Sequence, residues 1–396
     1  MYESERRVYL DHAATSPVLP GVVEVVAEAM THLGNPSSLH AAGRQARKMV
    51  EESRETVAAA LGARPSEVVF TSGGTEADNL AVKGLYWSRR SADERRVRIL
   101  ASAVEHHAVL DTVQWLGDAQ GARIEWLPVD ATGRLDVDAL RVAIERDPDS
   151  VALVTVMWAN NEVGTLQPID EVSALAREHG IPFHTDAVQA VGQVPVNFSA
   201  SGADTMTISG HKIGGPMGVG ALLLQRDVEL TPVLHGGGQE RDVRSGTLDT
   251  PSYAGLATAV ATVTDDVSMH ARELGRLRDE LVRRVRDAVP DVVYNGDPSS
   301  SLPSIAHLSF PGCEGDSLLL LLDAMGIHCS TGSACSTGVP RPSHVLLAMG
   351  IDEEVARASL RFSLGRTSTQ EDVDAVAGAI GPVTERARAA GMVGVR

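Results

Sequence analysis

The chain contains few cysteines, no paired cysteine motif and no long apolar run. Its 396 residues include three cysteines, Cys313, Cys329 and Cys335, and no C-x-x-C pair. This odd count argues against a disulfide framework, a structural zinc site or a cysteine-held cluster, and it favours a reducing compartment with a free thiol. Because no stretch of about 18 apolar residues occurs, we expect no membrane-spanning helix.

Basic residues are also in short supply. The formal net charge of -17 weighs against a broad surface for nucleic acid or anionic membrane. Residues Met1 to Leu10 are polar and charged and lack the apolar core of a secretory signal. We therefore expect a cytoplasmic protein without direct contact to a membrane.

Short apolar runs alternate with helical patterns over the first two thirds of the chain. The helical patterns include Ala77–Leu85 and Glu171–His179. The apolar runs are Val68–Phe70, Ile99–Ala101, Val151–Val156, Ile181–His184, Thr205–Ile208 and Val219–Leu224. This alternation predicts an α/β fold with a mostly parallel sheet and helices on both faces.

The pattern changes near residue 265. A long amphipathic helix is predicted over Ala271–Val289, and a helical run, Asp316–Met325, lies between strand-like runs Ile305–Phe310 and Ile327–Ser330. We predict three parts: an N-terminal arm over residues 1–20, a large domain over 21–265 and a smaller C-terminal α+β domain over 266–396.

The first candidate binding element follows the strand-like run that ends at Phe70. Gly73 and Gly74 precede a predicted helix, so backbone N–H groups at its N-terminus are free to bind a phosphate. The hydroxyl of Thr75 can add a hydrogen bond. A tight turn with an ordinary helix cap is the alternative interpretation.

Two further candidates follow later strands. Asp186, buried in a cleft, would need a cationic partner such as a protonated pyridine nitrogen, although a helix cap is an equal alternative. Lys212 follows His211 and begins a glycine-rich stretch, where a lysine of lowered pKa can form a Schiff base with an aldehyde cofactor. A phosphate turn, an Asp and a Lys at the ends of three strands are the arrangement of a pyridoxal-phosphate site.

Ordered motifs over nearly the whole chain carry a family resemblance. The sequence resembles the class V, fold-type-I pyridoxal-phosphate enzymes, and among them the group I cysteine desulfurases. The motifs are Tyr9-Leu10-Asp11-His12-Ala13-Ala14-Thr15, Gly34-Asn35-Pro36-Ser37-Ser38, Phe70-Thr71-Ser72-Gly73-Gly74-Thr75-Glu76, Glu105-His106, Asn160-Asn161-Glu162-Val163-Gly164, Ser209-Gly210-His211-Lys212, His235-Gly236-Gly237-Gly238-Gln239-Glu240, Arg244-Ser245-Gly246-Thr247, Gly332-Ser333-Ala334-Cys335 and Arg361-Phe362-Ser363-Leu364-Gly365-Arg366.

The resemblance implies a set of residues around pyridoxal 5'-phosphate. Lys212 would hold the cofactor as a Schiff base and then carry the Cα proton of the substrate. Asp186 would pair with the pyridine nitrogen, and Gln189 would bind the phenolic oxygen. His106 would stack on the ring and move protons. The residues implied to hold the phosphate are Gly74, Thr75, Ser209 and His211.

The resemblance also implies how substrate, sulfur and subunits are handled. Asn161 and Arg361 would bind the substrate carboxylate, and Cys335 would be the nucleophile that accepts sulfur. Thr247 would reach the phosphate in the other subunit, which implies a homodimer. The small, polar composition around Cys335 predicts an exposed, mobile loop over about 329–342.

Several of these residues also have a structural interpretation. Asn161 can belong to a simple turn, and Arg361 can form a surface ion pair. The local pattern does not distinguish His106 from its neighbour His107. Cys313 and Cys329 are interpreted as packed thiols.

The predicted function is conversion of L-cysteine to L-alanine with transfer of the sulfur to Cys335 as a persulfide. A protein acceptor, either an iron–sulfur scaffold or a sulfurtransferase, would receive it; iron–sulfur cluster assembly is the default, and tRNA thiolation or DNA phosphorothioation are further destinations. The alternatives are a selenocysteine lyase, a class V aminotransferase and a non-catalytic sulfur-trafficking scaffold. No metal site is predicted.

Overall fold

The computed structural model describes residues 7–332 and 342–393. The helices of these ranges are α1 (Pro20–Met30), α2 (Ala41–Ala60), α3 (Gly74–Ala92), α4 (His107–Gln120), α5 (Val137–Arg146), α6 (Ile169–Glu178), α7 (Phe198–Ser201), α8 (Thr250–Asp265), α9 (Val267–Ala288), α10 (Gly315–Asp323), α11 (His344–Ala348), α12 (Glu353–Arg357) and α13 (Gln370–Val393). The strands are β1 (Val8–Tyr9), β2 (Val68–Thr71), β3 (Arg98–Ser102), β4 (Arg123–Leu127), β5 (Val151–Thr155), β6 (Phe183–Asp186), β7 (Thr205–Ser209), β8 (Gly220–Leu224), β9 (Val293–Asn295), β10 (Ile305–Ser309), β11 (Ile327–His328) and β12 (Ser359–Ser363).

The largest sheet has the strand order β2-β8-β7-β6-β5-β3-β4. Strand β8 runs antiparallel to β2 and β7, and the remaining pairs are parallel. Strands β2, β3, β5, β6 and β7 are buried along their whole length, as expected for a sheet covered on both faces. The predicted α/β fold with a mostly parallel sheet is confirmed.

Two details of the sheet differ from the sequence pattern. Strand β6 begins at Phe183 and not at Ile181, because Pro182 between them has no N–H to donate to a neighbouring strand. Strand β4 was not predicted. It lies at the sheet edge with residues Arg123 to Trp126 partly or fully exposed, so it lacks the apolar run of an interior strand.

A second core lies in the C-terminal part of the chain. Strands β12, β10 and β9 form an antiparallel sheet, and helices α9, α10 and α13 contribute apolar side chains to the same cluster. Strand β1 pairs in parallel with β11, and Val8 and Leu10 belong to this second core. The division into an arm and two domains stays a prediction, but the start of the described chain packs with the C-terminal elements.

The segment that follows β1 connects this second core to the large sheet. Its backbone pairs with Ser363 of β12 at Asp11, and Ser16 N–H then donates to the carbonyl of His211 at 2.9 Å. Residues 11–16 therefore run along the carboxyl edge of the sheet. Within the described ranges, no helix combines the length and apolarity needed to cross a lipid bilayer.

A buried ion pair holds α2 against β2. The guanidinium of Arg54 donates two hydrogen bonds to the carboxylate of Glu240, at 2.8 and 2.6 Å, and a third to the Val68 carbonyl at 2.6 Å. Glu240 also accepts from the Phe70 N–H at 2.8 Å. Because both side chains are almost fully buried, each one compensates a charge that would otherwise be isolated from water.

This pair generates a stability prediction. Changing Glu240 to Gln should lower the free energy of unfolding by about 2–3 kcal/mol, because the buried Arg54 charge keeps only the more exposed Glu51 as a counter-ion. Denaturant titration would measure the loss. Changing Glu52 to Gln, which removes an exposed pair with Lys48, is the control and should cost less than about 0.5 kcal/mol. Equal losses for the two variants would contradict the assigned role of Glu240.

Candidate active site

A cavity of about 420 Å³ lies at the carboxyl edge of the large sheet. Ten of the predicted site residues line it. They are Gly74, Thr75, His106, Asn161, Asp186, Gln189, Ser209, His211, Lys212 and Arg361. Thr247 is exposed and does not line this cavity, and Cys335 lies outside the described residues. Parallel strands end on the same edge of the sheet, which brings these distant positions together.

The N-terminus of α3 forms one end of the cavity. Gly73, with φ +150, adopts a backbone conformation that side-chain-bearing residues rarely take, and it provides no side-chain cap for the helix. Gly74 packs closely against Val188, because a Cβ at this position would lie 3.1 Å from Val188 Cγ2. The first N–H groups of a 19-residue helix therefore face a space bordered by Ser209 and His211. This arrangement suits an anion.

Lys212 projects into the cavity from the turn after β7. Its Nζ donates to the carbonyl oxygens of Ala13 at 2.7 Å and Ala14 at 2.9 Å. Burial, with a smaller contribution from the Arg361 charge, lowers the Lys212 pKa from 10.5 to about 8, although Asp186 and Asp11 partly oppose the shift. Near neutral pH a substantial part of this amine is therefore in its nucleophilic form.

Asp186 lies at the end of β6, and its buried carboxyl group accepts a hydrogen bond from the Val188 N–H at 2.8 Å. Burial and then the nearby Asp78 raise the Asp186 pKa to about 8. Burial also raises the pKa of Asp78 to about 7 and lowers that of His184 to about 4. His184 connects β7 to α3, with Nδ1 2.9 Å from Thr205 Oγ1 and Nε2 3.3 Å from Asp78. The Asp186 carboxyl group, which lines the cavity, can therefore pair with a cation bound there.

Burial distinguishes His106 from its neighbour His107, which the sequence pattern did not. His106 caps α4, and its Nδ1 accepts a hydrogen bond from the Ala108 N–H at 3.2 Å. Burial, followed by the Lys212 charge, lowers the His106 pKa to about 4, so the ring is neutral with its proton on Nε2. His107 is exposed and pairs with Asp111 at 3.1 Å. Both residues line the cavity, but His106 is partly buried whereas His107 is exposed.

Arg361 is buried and not part of a surface ion pair. Its guanidinium donates to Asp11 at 2.9 Å and to the Asn161 carbonyl at 2.9 Å, and its Nε has no hydrogen-bond partner among the described residues. The neighbouring Asn160 forms the turn, because its side chain bonds the N–H groups of Glu162 and Val163 and the Val104 carbonyl. Asn161 is thereby left facing the cavity.

The structure also brings in polar residues that the sequence did not indicate. Asp11 pairs with Arg361, Glu162 lines the cavity beside Asn161, and His344 lines it from the C-terminal part of the chain. His344 Nε2 donates to the carbonyl of Glu105 at 2.9 Å. Asp11 and Glu162 belong to motifs already noted, but only their tertiary partners reveal their place in the site.

These groups fit a cofactor with an anionic end and a cationic ring. The uncapped α3 N-terminus suits a phosphate, Asp186 lacks a cationic partner among the described residues, and the Lys212 amine is nucleophilic near neutral pH. The cavity volume lies within the range of small-molecule sites, about 300–1,000 Å³. Among the described residues, no group of three or more His, Cys, Asp or Glu is arranged to hold a metal ion.

Comparisons with known proteins agree with this description. The model of the family "Aminotransferase class-V" matches residues 8–376. An IscS-like cysteine desulfurase of Mycobacterium tuberculosis is 56% identical over 385 residues, which cover 97% of this chain and 98% of the relative. A solved NifS-like protein superposes with a TM-score of 0.89 and 34% identity, covering 96% of this chain and all of the other. A structure of SspA in complex with cysteine has a TM-score of 0.78 and 33% identity, covering 91% and 99%.

The lowered Lys212 pKa generates a prediction of pH dependence. In cofactor-stripped protein, labelling of Lys212 by an amine-specific reagent should rise with a midpoint near pH 8. Changing Arg361 to Gln should move the midpoint up, because it removes a positive charge that lowers the Lys212 pKa. Changing Asp11 to Asn should move it down, because it removes a negative charge that raises this pKa.

Peptide mapping with mass spectrometry would locate and quantify the label, with the exposed Lys48 as internal reference for the reagent. A Lys212 midpoint near pH 10.5, or shifts of the same sign in both variants, would contradict the electrostatic description of the cavity.

Proposed function

This chain belongs to the pyridoxal-phosphate-dependent cysteine desulfurases of the class-V aminotransferase family, and we propose that its cavity removes sulfur from free L-cysteine and passes it to Cys335. The observation that carries the proposal is the convergence of two buried groups and one half-buried amine on one cavity. They are the Lys212 amine, the Asp186 carboxyl group and the Arg361 guanidinium. Each matches one part of the chemistry: a covalent anchor, a partner for a ring nitrogen and a binder for a carboxylate.

The residues would hold pyridoxal 5'-phosphate as follows. Gly74 and Thr75 at the α3 N-terminus, with Ser209 and His211 opposite, would bind its phosphate, and Asp186 would pair with its ring nitrogen. A cationic partner would lower the Asp186 pKa and so offset the effect of burial. Gln189, which donates to the Ala13 carbonyl at 2.9 Å, would bind the phenolic oxygen. When bound, this cofactor withdraws electrons from the Cα of the amino acid.

Lys212 and His106 would move the protons. As a neutral amine, Lys212 can take the Cα proton of the substrate, and the same nitrogen can return a proton to carbon. The carbonyls of Ala13 and Ala14 stabilise its protonated form. His106 presents an N–H at Nε2 beside the same cavity, so it can donate a hydrogen bond or a proton to the reacting group.

Arg361 would bind the substrate carboxylate. Its guanidinium already bonds Asp11 and the Asn161 carbonyl, so the plane of the fork is fixed before substrate arrives. A planar, fixed guanidinium binds a carboxylate more strongly than a mobile one, since less freedom is lost on binding. The unpartnered Nε supplies a further donor.

The sulfur step would use a cysteine thiolate. The thiolate attacks the substrate sulfur, an S–S bond forms and the C–S bond breaks. The electron pair of that C–S bond stays with the carbon fragment, which is protonated to alanine. Gly332 lines the cavity and lies three residues before Cys335, a stretch that spans at most about 10 Å. Cys335 is therefore within reach of the cavity.

The other cysteines are poor candidates. Burial raises the Cys329 pKa to about 12, and burial also raises the Cys313 pKa. Both side chains are buried, and neither lines the cavity. Because the thiolate is the reactive form, these two thiols are unsuited to attack sulfur at neutral pH.

The persulfide on Cys335 would be passed to a protein acceptor in the cytoplasm, with iron–sulfur cluster assembly as the first destination to test. An acidic chain with a net charge of -17 supports a protein acceptor over direct action on nucleic acid.

A Cys335→Ser variant separates the sulfur step from cofactor chemistry. Cofactor binding and the spectral change on adding cysteine should persist, because Lys212, Asp186 and Arg361 are unchanged. Alanine production should fall to near zero, since a hydroxyl cannot hold a persulfide and is a weak nucleophile at neutral pH. Alanine formed per enzyme and persulfide location by peptide mapping are the measurements.

Changing Cys329 or Cys313 to Ser is the matched control and should leave turnover and persulfide location unaltered. Turnover of the Cys335 variant near the parent rate, or a persulfide on Cys329, would show that the nucleophile is assigned wrongly.

A homodimer is the proposed assembly. Thr247 is exposed and lies shortly before α8, around which α1 and the segment containing Met217 are packed. Leu33 and Leu39, on the connection from α1 to α2, are 89% and 90% exposed, and Met30 and Met217 are also exposed. A two-fold contact over this face would bury these side chains and bring Thr247 to the partner's cavity.

Sedimentation should show a dimer that retains activity on dilution only while associated. Thr247→Ala should weaken binding of the cofactor phosphate and leave the dimer intact, because the hydroxyl is proposed to bond the phosphate across the interface. A fully active monomer would contradict the assembly, and unchanged cofactor affinity in the variant would contradict the role of Thr247.

A further inference from the structure

The turn after β5 places a buried carboxyl group beside the catalytic cavity. Glu162 is 3% exposed and sits directly after Asn161, whose carbonyl accepts from Arg361. The side chain of Asn160 fixes this turn by accepting from the N–H groups of Glu162 and Val163, both at 2.9 Å. The carboxyl group of Glu162 is therefore carried on a rigid part of the backbone. Burying such a group is costly unless it has partners.

The hydrogen-bond partner of Glu162 is Ser343, which follows the undescribed segment 333–341. Ser343 Oγ donates to Glu162 Oε2 at 2.5 Å, and Ser343 is itself 2% exposed. The same hydroxyl caps α11 by accepting from the N–H groups of Val345 and Leu346. Val345 and Leu346 pack in one cluster with Val163, next to Glu162 in the turn.

Glu162 also lies close to Gly332, the residue that precedes the undescribed segment. Gly332, with φ +85, approaches so closely that a Cβ there would lie 3.4 Å from Glu162 Oε2 and 3.1 Å from His307 Nε2. The Gly332 N–H donates to Ser330 Oγ at 3.0 Å, and the Ser330 backbone pairs with Arg361 in β12. The chain before residue 333 is thus tied to the strand that carries the proposed carboxylate binder.

A single carboxyl oxygen thereby bonds Ser343 and lies close to Gly332, the described residues on either side of Cys335. From these contacts the Cα atoms of Gly332 and Ser343 are within about 10 Å of each other, whereas eleven residues can extend to roughly 40 Å. The two described residues that flank this stretch therefore lie close together, beside a carboxyl group that lines the cavity.

We propose that Glu162 is a positioning residue for sulfur transfer: it bonds Ser343 at a point close to Gly332, beside the cavity, and so raises the rate at which Cys335 collects sulfur. This inference rests on the proposed role of Cys335 as acceptor. Glu162 acts through the two chain ends and not on the cofactor. Its loss should therefore slow the sulfur step and spare the earlier binding of cysteine.

The test compares Glu162→Ala with Glu162→Gln in the cofactor-loaded enzyme. After one equivalent of cysteine is mixed with enzyme, two rates are recorded: the spectral change of the bound cofactor and the appearance of persulfide on Cys335 by peptide mapping. In Glu162→Ala the persulfide rate should fall about 10- to 100-fold while the spectral rate changes less than about twofold. Glu162→Gln should recover most of the persulfide rate, because its amide oxygen can still accept from Ser343.

Two more variants separate positioning from stability. Ser343→Ala removes the donor and also the α11 cap, and it should slow persulfide formation. Asp136→Ala removes a cap of the same kind, on α5, with Asp136 Oδ1 accepting from the Ala139 N–H at 3.0 Å. That control should lower thermal stability without changing either rate.

The outcomes are distinguishable. An unchanged persulfide rate in Glu162→Ala, or equal slowing of both rates, overturns the positioning role; equal slowing would mean that Glu162 acts on substrate binding. Slowing by Asp136→Ala to the same degree as Ser343→Ala would mean that stability alone explains the effect. If the parent enzyme itself places no persulfide on Cys335, the proposed function fails instead.

Discussion

The hydrogen bonds from the Lys212 amine to the Ala13 and Ala14 carbonyls are the contacts on which the rest of the site depends. They hold the amine in a buried position where its pKa is lowered, so it is both fixed and reactive. These carbonyls are in place because the segment after β1 is anchored on both sides. β1 pairs with β11, and Ser16 bonds the backbone next to Lys212. The start of the described chain thus joins the C-terminal sheet to Lys212.

The same segment also balances charge. Asp11 pairs with Arg361, so a buried guanidinium has a counter-ion before any substrate is present. On the other side of the cavity, Asp186, Asp78 and His184 are buried together. Burial raises the pKa of both carboxyl groups and lowers that of His184, so that the uncharged form of each is favoured. A protein that keeps such groups dry spends stability on them, and a bound cation or anion recovers part of that cost. The geometry therefore favours a ligand that brings both charges.

Burial also sorts the cysteines. Three thiols occur in the sequence, and composition alone treats them alike. Packing in the second core raises the pKa of Cys329 and Cys313 and makes them inert, whereas the backbone leading to Cys335 leaves that core at the cavity wall. Glu162 lies close to Gly332 in that backbone and accepts a hydrogen bond from Ser343. A rigid turn of the large sheet thus lies beside the described residues on either side of Cys335.

The α/β fold could be predicted from the sequence, and so could the positions at strand ends where the candidate site residues lie. The turn at Gly73 and Gly74, Asp186 and Lys212 each follow an apolar run, so strand ends and helix starts can be recognised from neighbours in the chain. It did not reveal that Asp11 pairs with Arg361 or that Glu162 binds Ser343, because these partners are 350 and 181 residues apart. Nor did it decide between His106 and His107, since only packing buries one ring and fixes its tautomer. Burial, pKa and long-range pairing belong to the tertiary structure, because they depend on which groups exclude water from one another and not on the order of residues along the chain.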